Sequence, residues 1–100
     1  MTSKIPMALL LCALPFFTYA AEYNVKTYCK KVADSVGGSA QIELGCREQE
    51  NDAKAAIPGK NATPKILKYC DQVAQSIGGS YQILSGCIDQ EQDAQKKLGN

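Results

Sequence analysis

Residues 28–54 (YCKKVADSVGGSAQIELGCREQENDAK) recur as residues 69–95 (YCDQVAQSIGGSYQILSGCIDQEQDAQ), at a fixed offset of 41 residues and with 16 of 27 positions identical. No other feature constrains the fold as much, because one period, one turn and one cysteine spacing must satisfy a single geometry twice. Each copy carries two cysteines with sixteen residues between them, centred on Gly-Gly-Ser.

Within the first copy Val25, Tyr28, Cys29, Val32, Ala33 and Val36 recur at three- and four-residue steps, the mark of one helical face. Gly37-Gly38 supplies the left-handed residues that end a helix, and Ser39 offers a hydroxyl to the first free N–H groups of the next. A second helix then turns Ile42, Gly45, Cys46, Ala53 and Ile57 to one side. The second copy repeats the pattern with Ile66, Tyr69, Cys70, Val73, Ala74 and Ile77, then Gly78-Gly79-Ser80, then Ile83, Gly86, Cys87, Ala94 and Leu98. Thr63-Pro64 opens its first helix as cap and first-turn proline. Gly45 and Gly86, costly inside helices, suggest a close approach of the helices beside each second cysteine.

The cysteines test this reading. Cys29 and Cys46 are equidistant from Gly37-Gly38, and Cys70 and Cys87 from Gly78-Gly79. In an antiparallel hairpin such residues lie side by side, so the expected pairing is Cys29–Cys46 with Cys70–Cys87. Zinc sites draw their ligands from close pairs two to four residues apart, and no such pair occurs; a redox Cys-x-x-Cys is also absent. The expected fold is all-α: two tandem disulfide-stapled antiparallel helical hairpins, four helices in all. The first spans residues 21–57, a linker spans 58–63, and the second spans 64–100. Two units are too few for an extended stack. They are expected to pack face to face, or to bury their remaining apolar surface on another molecule.

Residues 1–20 read as a secretory signal peptide: Lys4, an apolar run from Ile5 to Phe17, then Thr18-Tyr19-Ala20 as the cleavage site. The run is too short to span a bilayer, and Leu11 stands before Cys12 where a lipoprotein signal wants a small residue. Removing this leader takes away Cys12 and Lys4, leaving four cysteines and ten basic against ten acidic residues. The expected product is a periplasmic or secreted chain with no membrane anchor, formally neutral, in a compartment that favours disulfides. It lacks the basic stripe of a nucleic-acid binder, and with no histidine it has no imidazole acid-base chemistry.

Both copies keep Gln-Glu-x-Asp, so Glu50, Asp52, Glu91 and Asp93 form a candidate carboxylate site for a small molecule or cation. Consecutive helical turns do not wrap an ion, however, and no glycine-bearing loop accompanies them. Reflected through the hairpin turn, Glu50 lands on Val25 and Glu91 on Ile66. The favoured role is therefore structural, a carboxylate facing the positive end of the preceding helix. Glu50–Lys54, Lys30–Asp34, Glu43–Arg47 and Asp93–Lys97 are spaced for ion pairs along a helix. Tyr28 and Tyr69 are placed to cover the disulfides. Tyr23 and Tyr81 are the candidate partner contacts, since tyrosine is enriched at interfaces.

The pattern Tyr-Cys-x-x-Val-Ala-x-Ser-[Val/Ile]-Gly-Gly-Ser, with its Gln-Ile and later Gly-Cys, resembles short exported bacterial proteins that carry this unit once or twice. The likeness covers most of the chain beyond residue 20. Those proteins have no established activity, so the resemblance implies export and transfers no functional residue. The expected function is non-enzymatic and needs no cofactor: an interaction or structural module whose partner is another exported protein or a second copy. A small-molecule or cation binder is the alternative, and a thiol-redox protein the third reading.

Overall fold

The computed structural model describes residues 22–99, so the signal peptide expected over residues 1–20 lies outside the described residues. Four helices follow in order: α1 (Val25–Asp34), α2 (Ala40–Ala56), α3 (Pro64–Gln75) and α4 (Tyr81–Leu98). A single 3-10 turn, Pro58–Lys60, lies in the linker, and Asn61 beyond it takes a left-handed conformation.

Each helix begins where the chain provides an oxygen for its first N–H groups. Asn24 accepts from Thr27 N, Ser39 from Ile42 N, Thr63 from Ile66 N and Ser80 from Ile83 N. Both hairpin turns use the glycine pair in the same way. Gly37 and Gly38 have φ of 96° and 79°, and Gly78 and Gly79 have 100° and 86°. In that geometry Gly38 N donates to Ala33 O at 2.8 Å and Gly79 N to Ala74 O at 2.9 Å, satisfying carbonyls the helix end leaves open.

Cys29–Cys46 and Cys70–Cys87 are bonded, with Cα atoms 5.5 and 5.6 Å apart, stapling α1 to α2 and α3 to α4. Each bridge closes a loop worth about 3 kcal/mol on the chain-entropy account. Gly45 and Gly86 do not mark a close approach of the helices. A Cβ added at either meets nothing within 4 Å.

The hairpins are alike in backbone but not in burial. The main core belongs to the second: Ile66, Cys70, Ala74, Tyr81, Leu84 and Ile88. Tyr23, Val25, Ala53 and Ile57 of the first hairpin pack against it. In α1 only Cys29 and Ala33 are buried, and in α2 only Glu50. Several positions expected on the apolar faces, Val36, Ile42, Tyr69, Ile77 and Leu98, are exposed instead. Between the hairpins only α2 and α4 meet extensively, so part of each apolar stripe has no neighbour and faces water.

The hairpins pack on each other mainly through one helix of each, α2 and α4. Glu50 and Lys54 reach Tyr81, and Lys60 reaches Asp89 and Gln92. Contacts that advance together along both segments mean that α2 and α4 run in the same direction. Tyr81 corresponds to Ala40 in the repeat, so α4 is displaced by ten residues relative to α2, about 15 Å at 1.5 Å per residue. The second hairpin is seated on the far half of the first, head to tail.

Candidate functional site

The junction between hairpins is built on a buried carboxylate. Glu50 is 0% exposed, and its oxygens are turned onto the start of α4. One oxygen accepts from Tyr81 N at 2.6 Å; the other accepts from Ser80 Oγ at 2.6 Å. Gln82 adds its backbone N–H at 3.4 Å and its side-chain amide at 3.3 Å. Ser80 is itself fully buried and still accepts from Ile83 N, so serine and carboxylate share the orphan donors of the first turn. The helix macrodipole favours a negative group at this end.

The expectation that Glu50 faces the helix of its own hairpin near Val25 is therefore corrected. It faces a helix start, but that of the other copy. The start of α1 has Asn24 as an acceptor at the protein surface, where water can complete the remaining bonds. The start of α4 lies beneath the first hairpin, where only protein can do so. Glu91, at the equivalent position, is half-buried rather than fully enclosed. Asp52 is exposed, and Asp93 pairs with Lys97 at 3.0 Å. The four carboxylates thus do not converge. Among the described residues no group of three or more His, Cys, Asp or Glu side chains could hold a metal ion.

Around Glu50 sits an aromatic clasp. The Tyr23 and Tyr81 rings lie 4.6 Å apart, centroid to centroid, tilted by 42°. Tyr23 N donates to the Tyr81 hydroxyl at 2.9 Å, and the Tyr23 hydroxyl donates to Asp71 at 2.5 Å. Lys54 lies over the Tyr81 ring with Nζ 5.3 Å from the centroid, in place of the expected pair with Glu50. The Tyr23 ring lies against Gly79, where an added Cβ would come within 3.3 Å of it. Tyr81 is only 2% exposed, which corrects its expected place as a partner contact, while Tyr23 is half-buried. An aromatic side chain with a polar tip is what a helix start covered by a second layer requires, since it fills space and keeps its hydroxyl bonded.

The tyrosines beside the first cysteines also part company. Tyr28 is half-buried with its ring against Gly78, whereas Tyr69 is exposed. The Lys30–Asp34 and Glu43–Arg47 pairs form as spaced. The residues missed by reading the copies as equivalent are Leu84 and Ile88. A signal for them existed: Tyr81, Leu84 and Ile88 are a helical stripe that the first copy replaces with Ala40, Glu43 and Arg47.

Comparison of the chain with family models, curated proteins and solved structures finds no match to any of them.

Proposed function

We propose that this chain is a small exported, non-enzymatic module, stapled by disulfides, that acts by binding another exported protein or by self-association. The observation that carries the reading is the commitment of Glu50. The one fully buried acidic side chain among the described residues holds the two hairpins together through both of its oxygens. The four cysteines among the described residues are likewise closed into bridges, which supports residence in an oxidising compartment. No described helix is long and apolar enough to cross a membrane. The repeated chemistry serves the scaffold, which leaves the exposed apolar residues as the surface for contact: Val36, Ile42, Leu44, Tyr69 and Ile77.

The test has two parts. Intact mass of the protein from fractionated cells reads the export step, with loss of residues 1–20 and four oxidised thiols expected. A photo-cross-linking residue at Ile42, Leu44, Tyr69 or Ile77, with exposed Gln72 as control, reads contact in the native compartment. A discrete adduct from one or more of these positions and none from Gln72 is expected. Uniform absence of adducts at all four positions refutes the interaction module.

A further inference from the structure

The residues that both copies keep fall into two groups. The scaffold uses the first group: cysteines as bridges, Ala33 in the interior, Ser35 and Gly-Gly-Ser at helix ends, Glu50 and Ala53 at the joint. Tyr28, Val32, Gln41, Ile42, Gly45 and Gln49 are kept as well, and with Cys46 they line one groove on the first hairpin. All seven recur forty-one residues on, so every substitution between the copies falls outside this shared lining. Asp52 is the one retained residue in neither group.

Packing does not account for the second group. Tyr28 lies against Gly78, yet its counterpart Tyr69 is exposed, so that contact is not what the copies hold in common. Glycine weakens a helix interior, and a Cβ added at Gly45 or Gly86 meets nothing within 4 Å. No neighbour in the chain requires either glycine. A bare helix backbone beside open space is what the close approach of a ligand requires.

The groove lies along α1 and α2 and encloses about 380 Å³, in the range of small-molecule sites. Its apolar lining is Val32, Ile42, Gly45 and Cys46. Its polar lining carries no charge: Tyr28, Gln41 and Gln49, with Gln82 reaching in from α4. Among the described residues, Tyr28, Gln41 and Gln49 have no side-chain hydrogen bond within the protein. Gln82 donates its side-chain amide to Glu50 at 3.3 Å, which orients it and leaves its carbonyl oxygen as an acceptor. A side-chain amide both donates and accepts, as a sugar hydroxyl does, and no charged group is present to select an ion.

We propose that this groove binds a neutral saccharide of one or two pyranose rings. The C–H face of a ring rests on Val32, Ile42 and Gly45, and its hydroxyls bond to Tyr28, Gln41, Gln49 and Gln82. Gln41 and Gln49 stand eight residues apart, about 12 Å along α2, a span suited to such a ligand and short for a docked helix. Extended peptides are commonly held by adding to a strand edge, and the described elements are all helical. The site goes beyond the interaction-module reading and does not depend on it.

The test is a titration of the oxidised mature chain with maltose, cellobiose and N,N′-diacetylchitobiose, followed by amide resonances. At least one of these should give saturable shifts at Ile42, Gly45 and Cys46 and at the side-chain amides of Gln41 and Gln49. Gly45→Leu fills the open space and should weaken that sugar about tenfold or more, with helicity and both bridges retained. Gly45→Ala guards against misfolding, since it should raise the thermal midpoint and still weaken the sugar. Gly86→Leu, the same change on the second hairpin, should leave binding as it was. The site is overturned if none of the three sugars gives saturable shifts in the groove, or if binding survives Gly45→Leu. It is also overturned if the neutral peptide acetyl-trialanine amide saturates the same resonances and the sugars do not. Cross-links at Leu44, Tyr69 and Ile77, outside the groove, still read the interaction module, so the two readings fail separately.

Discussion

Replacing Glu50 by alanine removes the acceptor for two short hydrogen bonds at the buried start of α4, from Ser80 Oγ and Tyr81 N. A buried donor left unmet costs about 1–3 kcal/mol. Gln82, being exposed, can turn to water, so its longer contacts add little. Loss of the favourable charge at the helix N-terminus adds about 0.5 kcal/mol. The expected destabilisation is therefore about 3–4 kcal/mol, concentrated at the junction, because each hairpin keeps its own disulfide. Glu50→Gln retains one acceptor oxygen and should fall near 2 kcal/mol, about one unmet donor. Glu91→Ala is the matched control, with an expected change within about 0.5 kcal/mol. Native-state hydrogen exchange is the sharpest assay, since the Tyr81 amide reports the junction directly. At tenfold per 1.4 kcal/mol, 3 kcal/mol lowers its protection roughly a hundredfold. Equal effects of Glu50→Ala and Glu91→Ala on thermal unfolding, or an unchanged Tyr81 amide in Glu50→Ala, would refute the capping argument.

Three further expectations follow from the packing. Gly86→Ala should raise stability by about 1 kcal/mol, since the position is an exposed helix interior with room for a methyl group; a fall in thermal midpoint would contradict the open space beside Cys87. Gly38→Ala and Gly79→Ala should each cost about 1–2 kcal/mol for the left-handed backbone, with Gly79→Ala the worse because its Cβ also meets Tyr23 at 3.3 Å; urea melts showing equal losses would remove the clasp from the account. Cys70→Ala/Cys87→Ala should destabilise by more than the roughly 3 kcal/mol of loop entropy, because Cys70 also belongs to the main core. Cys29→Ala/Cys46→Ala should lie closer to that figure, and calorimetry that reverses the order would sink the argument.

Helix, turn and staple were legible in the sequence because each is set by residues close together in the chain or symmetric about a turn. Gly37-Gly38 and Gly78-Gly79 end helices through their own φ values, Ser39, Thr63 and Ser80 cap through their own hydroxyls, and two cysteines equidistant from a turn must meet. Exposure of Val36, Ile42 and Leu98 was not legible, since a helical stripe shows which residues are apolar but not how much of the stripe a neighbour covers. Reflection through the turn identifies Glu50 as a helix-end partner but points to the start of α1, whereas the carboxylate meets the start of α4.

The tandem duplication by itself determined two stapled hairpins and the register of each. Only the tertiary structure decided that the second hairpin rides parallel to the first and ten residues along it. That displacement gives two residues with the same repeat position different surroundings. Glu50 meets a buried helix start and becomes the joint, while Glu91 is only half-buried. The same displacement takes Tyr23 and Tyr81 out of solvent and into the joint. Glu50 and Glu91 share their near neighbours Gln, Asp and Ala in the two copies, so the sequence immediately around them does not distinguish their roles. The difference arises from which donors are shut away from water, and that is a property of how the hairpins are placed on each other.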